Sequence, residues 1–182
     1  MSMKNRNKLM IFGMLFAALL AVSAGNCAAS DPKGQPGSLT DEVRHALVML
    51  PWYGVFDEIA FTTDSSGNVT LTGKVTWPVL KSDAETAVKH LNGVRKVIND
   101  IEVLPLSRFD DSIRIATYRA IFSRPGFEKY AIQAVSPIRI IVENGNVTLN
   151  GVIGSSFDKQ VADMAARSVP GVFSVTDNLT IG

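Results

Sequence analysis

One cysteine stands in 182 residues, so no disulfide can form within the chain. Histidine is nearly as scarce. His45 and His90 lie on separate helical patterns, without a metal-binding partner or a Ser/His/Asp context, and no phosphate-cradling glycine loop or zinc spacing occurs. Cofactors and metals are therefore not expected. A charge excess of either sign is missing too. The formal net charge is +1, and Lys4, Arg6 and Lys8 crowd the start. Without those three, 15 basic residues face 17 acidic ones, a net charge of −2. That argues against a nucleic-acid partner, which demands clustered Lys and Arg.

A long hydrophobic run is also lacking. Leu9–Val22 is apolar and uncharged but short of the roughly 20 residues a membrane-spanning helix needs. A basic start, an apolar middle and small residues after it read as a secretory signal over residues 1–24. Val22-Ser23-Ala24 suits cleavage after Ala24, and Cys27-Ala28-Ala29 offers a later site. Export to the periplasm is the expectation. Cys27 is a candidate for lipidation and membrane anchoring, although Ala24 and Asn26 fill the lipobox positions poorly. Residues 25–38 hold three Gly and two Pro and read as a flexible leader.

What is present is a repeat. Asn68–Val75 reads NVTLTGKV and Asn146–Ile153 reads NVTLNGVI. Carried to the C-terminus at the same 78-residue offset, 11 of 37 aligned pairs are identical, among them Lys81/Lys159, Ala84/Ala162 and Val97/Val175. In the first unit, Val43, Ala46, Leu47 and Leu50 recur at helical spacing behind Thr40 as N-cap. Ile59–Thr63, a turn at Asp64–Asn68, and alternating Val69, Leu71, Gly73 and Val75 form a hairpin with one buried face. Asn68 leaves that turn at a place that tolerates positive φ. Gly73 and Gly151 stand at inward positions where a helix backbone is expected to come close. Ser82-Asp-Ala-Glu85 is a capping box opening a second helix, and residues 97–103 form the last strand.

The second unit repeats the order. Its first helix is expected over Ile113–Phe122, with an extra helical piece at Phe127–Ala134. Asn144-Gly145 signals a two-residue hairpin turn. The fold class is α+β, two repeats of α-β-β-α-β. Each repeat is a small three-stranded mixed sheet with two helices packed on one face. The domains are 39–105 and 106–182. The short connection Leu104–Asp110, with Leu104, Leu106 and Phe109, is expected to be packed so that the repeats touch.

Gly-Asn-Val-Thr-Leu-x-Gly, a helix with spaced alanines, and Pro170-Gly-Val-Phe-Ser-Val-Thr-Asp-Asn-Leu-Thr-Ile181 together resemble the BON domain, named for bacterial osmotically inducible and nodulation proteins. The second copy fits best, through Gly145, Val147, Leu149, Gly151, Ala162, Ala165, Gly171, Val172, Val175, Asn178 and Leu179. The first departs at Asp100, where the second has Asn178. The resemblance implies an exported or membrane-attached envelope protein that binds phospholipid, is linked to osmotic or envelope stress, and has no enzymatic activity.

Two surfaces invite contact. Arg114, Arg119, Arg124 and Lys129 follow one another through aromatics Tyr118, Phe122, Phe127 and Tyr130, a pattern suited to anionic headgroups or to a solvated helix face above a core. Trp52, Tyr53 and Trp77 cluster at loops and strand ends, where they either close the small core or offer a patch to an envelope protein, the cell wall or a membrane. The acid pairs Asp41-Glu42, Asp57-Glu58 and Asp110-Asp111 stand near element starts and read as capping and solvated groups.

Overall fold

The computed structural model describes residues 38–182. The expected signal segment, the leader up to residue 37 and Cys27 lie outside the described residues. The elements are α1 (Leu39–Val48), β1 (Glu58–Thr63), β2 (Asn68–Val75), α2 (Pro78–Lys89) and β3 (Lys96–Val103), then α3 (Arg108–Phe122), α4 (Glu128–Ala131), β4 (Ile138–Glu143), β5 (Asn146–Ile153), α5 (Ser156–Arg167) and β6 (Ser174–Ile181). Each repeat builds a three-stranded mixed sheet, ordered β1-β2-β3 and β4-β5-β6. The middle strand pairs antiparallel with its hairpin partner and parallel with the last strand. The bounds of β2, α2 and β3 return in β5, α5 and β6 at the same 78-residue offset.

Alternation decides the cores. Val69, Leu71 and Val75 point inward and meet Val43 and Leu47 of α1 and Leu80, Ala84 and Val88 of α2, so both helices cover one face. Val147, Leu149 and Ile153 meet Ile113, Ile121, Ala162, Ala165 and Ala166 in the same way. Alanine at the contact positions of α5 lets its backbone lie close to the sheet. On the last strands the inward row carries a polar residue at matched places, Asn99 opposite Leu71 and Asp177 opposite Leu149. Asn99 donates to the Lys81 carbonyl at 2.8 Å, and Asp177 lies 3.7 Å from Lys159 Nζ.

Several local expectations change. The cap of α1 is Ser38, whose Oγ accepts from Asp41 N–H; Thr40 instead meets the Thr63 hydroxyl. Ser82 and Glu85 do not start α2. Pro78 occupies its first turn, where a missing N–H costs nothing, and Ser82 turns back to the Val79 carbonyl. Helix α3 begins at Arg108 behind Ser107, five residues ahead of the expected start. Three of the seven residues of the supposed connection are thus helical. Leu104 is buried, but Leu106 is 92% exposed and Phe109 is exposed. Asn68 is not among the residues with positive φ. Gly73 and Gly151 are, at φ 121° and 131°. A Cβ there would strike the Glu58 or Pro137 carbonyl of the hairpin partner, not a helix.

Two acids read as solvated are buried. Asp110 accepts from the N–H groups of Asn144 and Gly145, at 3.0 and 2.8 Å. These form the β4-β5 turn, with φ of 51° and 76° as a type I′ turn requires. Asp57 ties down the segment after α1, as described below. Replacing Asp110 with Ala leaves two N–H groups of a tight turn without their charged acceptor. The expected loss is about 2–4 kcal/mol of unfolding free energy, measured by urea denaturation. Gly151→Ala is expected to lose more than about 1 kcal/mol in the same measurement, from both its φ and the carbonyl contact.

Candidate functional site

The two repeats belong to one compact unit, and the site lies where they meet. Asp57 organises the junction. Its buried carboxylate accepts from Gly54 N–H at 3.0 Å, and from the N–H and hydroxyl of Thr76, each at 2.7 Å. The segment Gly54–Asp57 is thereby fastened to the end of β2. The Val55 carbonyl then accepts the Ile140 N–H at 2.9 Å, on the β4 edge that β5 leaves free. Arg139 donates to the Gly54 carbonyl at 2.7 Å, and its guanidinium lies 4.5 Å from the centre of the Tyr53 ring. Phe56 packs against the second core and meets Tyr118 edge-on, with ring centres 6.3 Å apart. Farther along, Lys74 bonds Glu143 at 2.5 Å and Asn150 donates to Glu58. The Glu143 hydrogen bond holds the Lys74 ammonium above the ordinary lysine range, so it stays charged.

Beside this junction opens a cleft of about 480 Å³. Tyr53, Val55 and Phe56 of the first repeat form one wall. Ile115, Tyr118 and Phe122 of α3 form another, and residues 131 and 133–136 complete it. Its volume falls within the range of small-molecule sites, which favour domain boundaries. Two cations line it, Arg119 and Arg139, and no Asp or Glu does. Among the described residues neither arginine has a carboxylate within ion-pair distance.

The four basic residues singled out in the sequence separate. Arg114 does not face outward. Its side chain is 5% exposed, held by Asp111 at 2.5 Å and by the Val142 carbonyl at 2.8 Å. Spacing along α3 put it in the basic series, but it falls on the helix face turned to the sheet, beside Ile113 and Thr117. Lys129 is exposed yet paired with Asp158 at 2.9 Å. Arg119 and Arg124 remain, both exposed, with Arg124 Nε donating to the Ala120 carbonyl of its own helix. Of the aromatics, Tyr53 belongs to the cleft wall. Trp52 is 80% exposed, and Trp77 is exposed beside Leu106 at a smaller hollow of about 310 Å³. Arg139 and Asp57 were missed. The one signal for Arg139 is its charge within the apolar strand Ile138–Val142.

Trp52 carries a further peculiarity. The turn Leu50–Tyr53 closes with Tyr53 N–H on the Leu50 carbonyl at 3.3 Å, with Pro51 second and Trp52 third. Trp52 has φ 68°, a left-handed value that bulky residues avoid. The chain thus keeps a large apolar side chain in water at a position that favours glycine.

A titratable contact also bounds this region. Tyr130 donates its hydroxyl to Asp158 at 2.6 Å and accepts from Gly154 N–H at 2.8 Å. The hydrogen bond from Lys129, then that from Tyr130, holds the Asp158 carboxyl below the usual range. A carboxylate so lowered adds stability above its unfolded value and loses it as pH falls through the folded one. The stability difference between wild type and Asp158→Asn is therefore expected to be widest near neutral pH and to close below about pH 4. Urea midpoints at stepped pH measure it.

The fold defines a duplicated α+β unit with a cleft at the junction of its two copies. The BON domain family model matches residues 37–105 and 127–182, well over half of the chain, and the protein belongs to that family. The family is one of non-catalytic, envelope-type domains. No curated protein matches significantly. Two solved structures of CdsD, a structural protein of the type III secretion system of Chlamydia trachomatis, are similar at 12% identity and a TM-score of 0.31. The matches cover 79% of this chain and 92% of one CdsD chain, and 82% of this chain and 100% of its C-terminal domain. No helix among the described residues is long and apolar enough to cross a membrane.

Proposed function

We propose that this chain is an exported, non-enzymatic protein of the bacterial envelope that binds phospholipid membranes weakly, from the surface, in a role tied to osmotic or envelope stress. The observation that carries the reading is the cleft and its rim. Arg119 lines the cleft without an acidic partner among the described residues, and Arg124 stands exposed one turn and a half farther along the chain. Two large apolar side chains flank lining residues: Trp52 beside Tyr53, and Ile132, 83% exposed, beside Ala131 and Gln133. Cations for headgroups next to aromatic and aliphatic groups for the interface are what peripheral binding uses. The strained φ of Trp52 adds to this, since strain of that kind gathers at functional positions.

The test is co-sedimentation of the chain from Ser30 to Gly182, which carries both cores and lacks Cys27, with anionic and with neutral liposomes at low and high salt. Binding to anionic vesicles that weakens with salt is expected. Arg119→Glu with Arg124→Glu is expected to weaken it at least about thirtyfold, the loss of two basic residues at about 1 kcal/mol each before the added repulsion of the two carboxylates. Binding to neither vesicle at any salt would end the reading. Trp52→Gly is expected to do two opposite things, raising stability by about 1 kcal/mol as the left-handed strain goes, and lowering vesicle affinity.

A second reading, contact with an envelope protein or the cell wall, has its own support in the exposed Trp77 and Leu106 at the 310 Å³ hollow. Trp77→Ala is expected to leave liposome binding intact. Loss of vesicle binding in that variant would instead make the hollow part of the membrane surface.

A further inference from the structure

The cleft between the repeats has a volume of about 480 Å³. Its walls divide by chemistry. Tyr53, Phe56, Tyr118 and Phe122, with Val55, Ile115 and Val135, give an apolar lining, whereas Arg119 and Arg139 bring the only formal charges. Arg139 is held in place, its guanidinium over Tyr53 and one nitrogen on the Gly54 carbonyl. Among the described residues no carboxylate lies within ion-pair distance of that guanidinium. Two cations kept beside apolar walls without a counter-charge call for an anion joined to an apolar body.

We propose that this cleft binds a single-chain anionic amphiphile, one molecule at a time. The head lies on Arg119 and Arg139, and the tail runs between the Tyr53–Phe56 segment and α3. The inference shares Arg119 with the membrane reading but needs no bilayer. The ligand is taken from water, and both repeats enclose it. Because each repeat supplies one wall, the bound molecule bridges them and stabilises the junction by mass action.

Dodecyl phosphate below its micelle concentration is the probe, titrated calorimetrically into the Ser30–Gly182 chain. Inorganic phosphate and dodecyltrimethylammonium serve as the head alone and the tail with reversed charge. Saturable one-to-one binding of dodecyl phosphate, and of neither control, is expected. Ala134→Trp fills the cleft from a residue outside the membrane rim and is expected to abolish that binding while sedimentation with anionic liposomes persists. Arg139→Gln is expected to weaken it at least about tenfold, as loss of a charge-assisted hydrogen bond does. An unchanged urea midpoint shows that Ala134→Trp still folds, and Val135→Phe replaces it otherwise. Equal binding of the cationic amphiphile, or no saturable binding of dodecyl phosphate, overturns the proposal even where liposomes are bound. Binding of dodecyl phosphate without liposome binding leaves the cleft standing and removes the membrane reading.

Discussion

The carboxylate of Asp57 is the contact on which the junction depends. It is almost wholly buried, and its partners are two backbone N–H groups and a hydroxyl. An ionised group in such a place is tolerated only when hydrogen bonds replace its water. Those same bonds fix the path of Gly54–Asp57, and everything at the boundary follows from that path. The Val55 carbonyl arrives in line with Ile140, Tyr53 comes under Arg139, and Phe56 enters the second core. One buried carboxylate of the first repeat thus decides the shape of the wall that faces the second. Asp110 does comparable work inside the second repeat, joining α3 to the β4-β5 turn. Each acid converts a loop that could wander into a rigid part of the scaffold.

Much of the fold was legible because the chain states it twice. The block from β2 to the last strand is repeated without a gap, so alternation in one copy could be checked against the other. The elements obey that register to the residue. Legibility failed where the copies diverge or where a local signal competed with a stronger one. Ser82 and Glu85 have the spacing of a capping box, yet Pro78 had already fixed a helical φ four residues earlier. Gly73 and Gly151 were recognised as places of close approach, but spacing along a strand cannot say whether the neighbour is a helix or the next strand.

The cleft was less legible, for a physical reason. It is built from segments far apart in the sequence, and no period links them. Tyr53 and the arginines of α3 were seen as separate patches, whereas Arg139, which joins them, sits on a strand whose outward row would ordinarily meet water. Arg114 illustrates the reverse. A charge is expected at the surface, but the Val142 carbonyl and Asp111 offer it partners inside. Burial of an arginine between a helix and a sheet edge cannot be read from one-dimensional spacing.

The matched polar residues of the last strands bear on strand pairing at the sheet edges. Among the described residues β3 and β6 end their sheets, and an unpaired strand is a template for another chain. Two such rims on one molecule are a recipe for a filament. Asn99 and Asp177 turn a polar group toward the interior from these rims, each tethered to the neighbouring helix. A newcomer strand that slipped by one residue, or that pried the rim loose to extend the sheet, would have to strip those groups of their partners. The duplication that supplies a second wall for the cleft also gives the molecule a second such rim, and the matched position carries an inward polar group in both copies.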